Sequence, residues 1–396
     1  MQGSSPAGRR DQVLRSLMEI CGPHFARLAG HADTVSGRRA RYVAAPATTA
    51  GVADALLLAA KHGLDVTARG AGTKIDWGFP SSRVDVVLDA GRLAGVWHHR
   101  PEALTAEVGS GTPVRALQAA LARQGQRLAV DPPSAGATVG GVLSVNEAGP
   151  ISYRFGTPHR QVKTYTYVDP AGNLGTVPTV GSSDRDGVPG PPPGVLVSAT
   201  LKLHRLPEAS RWVSYPVWTP LQMHDMLART LDAEVSPVAI EVDLPALVAP
   251  GSSPQRPGAV AVLLEGAPVA VRERATRLAA ELGTDSAITA LAPGWWGRYP
   301  FSPDDIVLRV SVPIAELHAA VYALRDAAGG AVPVRGSAGR GVVHAVLPRT
   351  FTPQRVEGVL DAIRGVLLAR GGRCVVVTAP PAIREAVDMA RREDLR

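Results

Sequence analysis

Two glycine-rich segments hold the residues of this 396-residue chain best suited to grip an anionic ligand through the backbone. The first, Arg69-Gly70-Ala71-Gly72-Thr73-Lys74, follows directly on an apolar strand pattern at Val66. Glycines let the main chain approach a ligand closely and turn N–H groups toward an anion, which is how diphosphates are cradled. The spacing is neither GxGxxG nor the Walker pattern, so taken alone this is equally an ordinary tight turn. The second segment runs from Asp131 through Pro132, Pro133, Gly136, Thr138, Val139, Gly140 and Gly141 to Asn146 and Gly149. It concentrates close-approach glycines, adds Thr138, Ser144 and Asn146 as side-chain donors, and carries almost no charge. That combination suits backbone recognition of a large buried cofactor. A pair of structural glycine turns is the competing reading.

The elements that must position these segments follow an α/β alternation. Residues 41–46 read as a strand. Thr48 or Thr49 caps a helix through Val52, Leu56, Leu57 and Ala60, closed by Gly63. Strands are expected at 66–68, 84–88 and 104–108, the last ending at Gly109-Ser110-Gly111. Pro113 then opens a helix carried by Val114, Leu117 and Leu121. Residues 182–194 are too rich in proline and glycine for a regular element and read as a loop. A strand at 195–203 ends at Leu206-Pro207, and there the pattern changes. Strands at 260–265, 306–312, 341–347 and 373–378 alternate with helices at 268–282, 313–327 and 353–369, a rhythm that suits a ferredoxin-like α+β domain. Residues 1–40 are expected to be a helical leader, 41–207 a first domain and 208–396 a second.

Composition narrows the function classes. With 45% hydrophobic and 19% charged residues the chain is globular. Its net charge of +7 comes from scattered arginines, with one cluster at Arg38, Arg39 and Arg41, which argues against a nucleic-acid partner and leaves a positive field favouring anionic cofactors and carboxylates. Cys21 and Cys374 form no CxxC pair, so neither a disulfide framework nor a metal site is expected, and no metal-ligand spacing occurs elsewhere. No apolar run reaches the length of a membrane span and no signal-peptide pattern is present, so a cytoplasmic location is the expectation.

Taken together, Pro46 with its helix, Arg69–Thr73 as RGxGT, Val87-Leu88-Asp89, Val108 to Pro113 as VGxGTP, Pro132 to Gly141 as PPxxxxTVGG, residues 155–162, and the ATLKL close at 199–207 resemble the PCMH-type FAD-binding domain of the vanillyl-alcohol-oxidase/p-cresol-methylhydroxylase superfamily. The GTKxDWG stretch at 72–78, with Gly371-Gly372, Pro380-Pro381 and Val387-Asp388, is similar to the FAD-linked glycolate oxidase subunits. The resemblance implies an α+β flavoprotein with two α/β subdomains in its FAD domain and an α+β cap domain. It implies a diphosphate held by the amides of residues 70–73 and 138–141, Asn146 and Gly149 along the same cleft, and Val195 near the adenine. Arg69, Lys74, Pro132, Pro133 and Gly136 belong to the same expected nucleotide-binding set. Some relatives attach FAD through a histidine in the first turn. Thr73 occupies that position, so FAD is expected to be non-covalent.

The implied activity is oxidation of a small 2-hydroxy acid such as glycolate, within an assembly whose partner subunits pass electrons onward. Such chemistry needs a base for the substrate hydroxyl and a cation for its carboxylate. Candidate bases are His98, His99, His159 and His344; candidate carboxylate binders are Arg309, Arg335 and Arg340. A surface or core histidine and a solvated arginine are the competing readings. Trp295, Trp296, Tyr299 and Phe301 are the densest aromatics and fit either a pocket cap or plain core. The family's K-x-V-K-N-x-A-G-Y-D segment is replaced by Asp169-Pro-Ala-Gly-Asn-Leu-Gly-Thr-Val177, and the acid of its YGxxRD step is lost at Gln161. Those departures support a second reading, a non-catalytic subunit that keeps the fold as a scaffold.

Overall fold

The computed structural model describes residues 6–78, 83–179, 190–246, 256–330 and 332–387. They form two compact units. The first comprises Met1–Asp76, Pro80–Ala148 and Gly156–Leu206, the second Trp77–Phe79, Gly149–Phe155 and Pro207–Arg396. The loop expected at 182–194 falls mostly outside the described residues.

The first unit opens with α1 (Pro6–Cys21), β1 (Ala26–Leu28), β2 (Tyr42–Ala44), α2 (Thr49–His62), β3 (Val66–Arg69) and β4 (Val86–Asp89). Their sheet runs β1-β2-β4-β3, with β2, β4 and β3 parallel, as a β-α-β crossover through α2 requires. Thr48 caps α2 by accepting the Gly51 N–H, and Gly63 ends it in a left-handed turn. Val52 and Leu56 of α2 pack with Tyr42, Val86 and Leu88 in one buried cluster, which also takes in Val13 and Leu17 of α1. The segment read as a leader thus packs into the first unit.

Five antiparallel strands build the second sheet of this unit: β5 (Val96–Arg100), β6 (Thr105–Gly109), β7 (Val162–Val168), β8 (Leu174–Pro178) and β9 (Val195–Lys202). Their order is β8-β7-β9-β6-β5. Against it lie α3 (Val114–Ala122) and the short α4 (Val139–Val145), sharing a core of Leu117, Leu121, Val142, Leu143, Tyr165 and Leu201. Two α/β subdomains therefore make up the unit.

The second unit holds one eight-stranded antiparallel sheet. Its first half is β10 (Ala209–Val217), α5 (Pro220–Asp232), β11 (Ala239–Leu244), β12 (Gly258–Gly266), α6 (Pro268–Leu282) and β13 (Ala287–Thr289). The second half is β14 (Ile306–Ser311), α7 (Leu317–Ala328), β15 (Val334–Ser337), β16 (Val342–Leu347), α8 (Pro353–Leu368) and β17 (Arg373–Thr378). The strand order β13-β10-β12-β11-β15-β16-β14-β17 places the fourth, first, third and second strand of each half side by side. Each half is a βαββαβ repeat, and the two join where β11 pairs β15. The helices cover one face with a continuous core that includes Met223, Leu227, Leu278, Leu324 and Ile363.

Sequence periodicity missed β10, α5, β11, β13 and β15 in the second unit, and β1, β5, β7, β8 and α4 in the first. β10 has polar residues on one face and Pro216 within it, so its alternation is weak; α5 had a readable start in Thr219, which caps it, and Pro220. The helix expected from Pro313 begins instead as a 3-10 turn at Ile314–Glu316. Cys21 and Cys374 are both buried, and among the described residues neither is in a disulfide. Among the described residues, no helix is long and apolar enough to cross a membrane.

Candidate functional site

In the first unit, β3 delivers the chain into the turn at residues 70–74, β6 ends just before Ser110, and Thr138 caps the start of α4. These three places line one open cleft with a cavity volume of about 150 Å³. Its floor is the turn itself, from Ala68 to Ile75, and one wall is Gly140, Gly141, Ser144 and Val145 of α4. Ala90, Ser110, Val195 and Leu196 complete the lining.

The turn is pressed against the helix start. A Cβ on Gly70 would lie 2.1 Å from Thr138 Oγ1, and one on Gly140 would lie 2.7 Å from Ser110 Cβ. Gly72 has φ +72°, a left-handed conformation that bends the turn back. Among the described residues, the N–H groups of residues 70–73 have no hydrogen-bond partner. The amides of the helix start are already used. Val139 N–H donates to Thr112 O, Gly140 N–H to Ser110 O and Gly141 N–H to Thr138 Oγ1. Among the described residues the amides left without partners here are those of the turn, while those of residues 139–141 bond within the protein. The Ser110 hydroxyl, which lines the cleft, is buried without a partner. Buried polar groups are nearly always satisfied, so an orphaned hydroxyl in a cleft wall fits a ligand with a polar atom there.

The two cations of the turn are spent inside the protein. Arg69 donates to Asp33 Oδ1 at 3.1 Å and to Asp89 Oδ2 at 2.8 Å. Asp33 also takes a forked pair from Arg27 and the Gly30 N–H. The Arg27 guanidinium, ahead of Gly30 N–H and Arg69, holds the Asp33 carboxyl well below the usual carboxylate range. Lys74 Nζ forms a buried ion pair with Glu147 and donates to Ser134 Oγ. Burial pulls the Lys74 ammonium below its ordinary value, opposed by Glu147.

Of the other expected cofactor residues, Pro132, Pro133, Gly136, Val139, Asn146 and Gly149 lie outside the cleft lining. Val139 is buried in the core behind it. Asn146 ends α4 in a left-handed turn, and its Oδ1 accepts the His159 N–H at 3.1 Å. Gly149 belongs to the second unit. The cleft residues not expected from sequence are Ala68, Ile75, Ala90, Ser110, Val145 and Leu196, whereas Ser144 is one of the expected side-chain donors. Ser110 was within reach, standing as the x of VGxGTP.

The candidate bases separate clearly. His159 is buried, and its Nε2 donates to Leu143 O at 2.6 Å, so it is a structural group. His98 and His99 lie on the edge strand β5, His98 facing Glu107 and His99 bonded to Gln126. In the second unit His344 pairs across the sheet with Arg335 on one side and Arg309 on the other. Asp243 pairs in turn with Arg335, whose Nε donates to Asp243 Oδ1 at 2.8 Å. Asp243, Arg335, His344 and Arg309 thus form one row, on the face opposite the helices. Their neighbours Val242, Val334, Val343 and Leu308 point into the helical core. Tyr299 and Phe301 pack on the His344 ring at 5.1 and 5.8 Å and on Trp77 at 5.4 and 5.9 Å. Arg335 lies over Trp295. Arg340 donates to Ser152 Oγ at 3.2 Å.

Residues 40–177 match the model of a family described as an FAD binding domain. Two FAD-linked oxidoreductases from two strains of Mycobacterium tuberculosis, themselves uncharacterised, are each 25% identical over 173 residues, 43% of this chain and 38% of the relative. The chain thus matches well under half the length of these curated relatives. Among solved structures, alkyldihydroxyacetonephosphate synthase is similar in fold with a TM-score of 0.69 at 16% identity, covering 92% of this chain and 80% of that one. p-Cresol methylhydroxylase with substrate bound has a TM-score of 0.65 at 14% identity, covering 92% and 88%. 4-Ethylphenol oxidase from Gulosibacter chungangensis, as its isoeugenol complex, has 0.64 at 15%, covering 93% and 88%.

Proposed function

We infer, from the premise that residues 40–177 are a PCMH-type FAD-binding domain, that this chain is an FAD-dependent oxidoreductase subunit acting on a CH–OH group of a small 2-hydroxy acid such as glycolate. The observation that carries the reading is the turn at residues 70–73, which lines the cleft and whose N–H groups have no hydrogen-bond partner among the described residues. Two features support the fit: among the described residues the Ser110 hydroxyl is orphaned, and Val145, Ile75 and Leu196 offer apolar surface to a ring.

In this reading the amides of residues 70–73 hold the diphosphate, and Ser110 bonds a polar edge of the dinucleotide. Val195 and Leu196 flank the adenine. Thr73 offers no imidazole nitrogen, so the attachment is non-covalent. Bound FAD supplies the hydride acceptor. Within the second unit, His344, packed against Tyr299 and Phe301, is the candidate base for a substrate hydroxyl. Arg309 is exposed and next to His344 in register, which suits it to the carboxylate. Arg335 bonds Asp243 and Arg340 bonds Ser152, which leaves Arg309 as the cation favoured for the carboxylate. Electrons then leave through partner subunits.

One observation favours the second reading, a non-catalytic scaffold. Where the family carries its K-x-V-K-N-x-A-G-Y-D segment, β7 and β8 form a plain hairpin closed by Asp169, whose carboxylate accepts the Asn173 N–H at 2.8 Å. The visible absorption spectrum of the purified protein, with FAD added and then glycolate without air, separates the two. Flavin bands that bleach with glycolate support the enzyme; a colourless protein that takes up no FAD supports the scaffold.

A further inference from the structure

We propose that Lys74 and Glu147 form a buried strut that positions the glycine turn for the cofactor, and that Lys74 itself does not bind the diphosphate. The proposal rests on the reading of the cleft as an FAD site. From sequence, a lysine closing a glycine turn looks like a phosphate ligand. The surroundings of its ammonium assign it another task.

The Lys74 side chain is 7% exposed and that of Glu147 is 2% exposed. Lys74 Nζ pairs with Glu147 and donates to Ser134 Oγ, while the Ser134 N–H donates to Glu147 Oε1 at 3.0 Å. Three segments meet at this pair. Lys74 ends the glycine turn, Ser134 lies in the loop that leads to α4, and Glu147 follows the exit of α4 at Val145. The turn and α4 are the floor and wall of the cleft. A diphosphate reaching for Lys74 would compete with a buried carboxylate and bring its own negative charge beside it, which a low-dielectric surrounding penalises. Held by the strut, the turn keeps the amides of residues 70–73 directed into the cleft. Arg69, at the other end of the turn, is likewise anchored by Asp33 and Asp89.

The strut and the phosphate-ligand roles give opposite results in a double-mutant cycle. Removing one partner of a buried ion pair leaves the other charge uncompensated, whereas replacing both with apolar side chains is often tolerated. FAD binding would be measured by quenching of flavin fluorescence for the wild type, K74M, E147L and K74M/E147L. Thermal unfolding of the FAD-free proteins runs alongside, and E147Q serves as the milder single change should K74M not fold. The strut predicts that K74M or E147Q weakens FAD binding about tenfold or more and that K74M/E147L recovers to within about threefold of wild type. ADP affinity should follow FAD through the series, with riboflavin affinity unchanged, because the turn serves the diphosphate.

A double variant that binds FAD as weakly as K74M would overturn the proposal and make Lys74 a phosphate ligand. Single variants that melt lower yet bind FAD like the wild type would overturn it too, leaving the pair a matter of fold alone. A wild-type protein that takes up no FAD would sink the cofactor reading and this proposal with it. The melting temperatures would still show in that case whether the pair is a strut, so the two failures are distinguishable.

Discussion

Gly70 lies so close to Thr138 that a Cβ built on the glycine would sit 2.1 Å from the threonine Oγ1. That oxygen is also the cap of α4, accepting the Gly141 N–H at 3.3 Å. A methyl group at position 70 must therefore push the turn out of the cleft or pull Thr138 off its cap. Gly70→Ala should lower stability by about 1–2 kcal/mol and weaken FAD binding about tenfold or more. Urea unfolding and FAD titration check the two effects. Wild-type affinity in this variant would mean that the turn does not face the ligand.

Asp33 gives a pH signature. Its folded carboxyl is held below the unfolded value of about 3.9, so its stabilisation is complete above that value and is lost as pH falls toward the folded pKa. Asp33→Asn removes the charge that Arg27 and Arg69 share and should cost about 2–4 kcal/mol at neutral pH. The gap between wild type and variant should stay level from about pH 8 to 5 and narrow below that. Chemical unfolding across this range tests it, and a gap that widens on acidification would contradict the assignment.

Ionic strength separates a cradle of amides from one of cations. Because Arg69 and Lys74 each have internal counter-ions, the cleft offers the diphosphate mainly backbone dipoles. Raising sodium chloride from about 50 to 500 mM should change the FAD dissociation constant by less than about threefold. A tenfold loss would point to an unpaired cation at the phosphates.

Much of this site was readable in sequence, for reasons that also mark its limits. Glycine turns are local signals, and the turn at 70–74 and the start of α4, with Thr138, Gly140 and Gly141, do line one cleft. The counter-ions were not readable. Asp33 lies 36 residues before Arg69, in a stretch that reads as a leader, and nothing in the intervening residues marks the pairing. Glu147 follows a helix of only seven residues, Val139–Val145, too short to show a period. So Lys74 and Arg69 read as ligands when their charges are spoken for. His344 fared differently. Register is a property of the sheet, and only strand pairing brings it between Arg335 and Arg309.

If His344 is the base, His344→Gln should slow anaerobic bleaching by a hydroxy acid on the order of a hundredfold while leaving FAD affinity within about twofold. Arg309→Met should instead raise the substrate concentration needed for half-maximal bleaching. Stopped-flow absorbance at the flavin band measures both. Equal rates in the His344 variant would move the base elsewhere.

The central claim is that the cleft above residues 70–73 holds FAD. Its most direct test is titration of the purified wild type and Gly70→Ala with FAD, followed by quenching of flavin fluorescence. Saturable one-to-one binding by the wild type, weakened about tenfold or more in the variant, is the predicted result. No binding by the wild type, or equal binding by both proteins, would contradict the account.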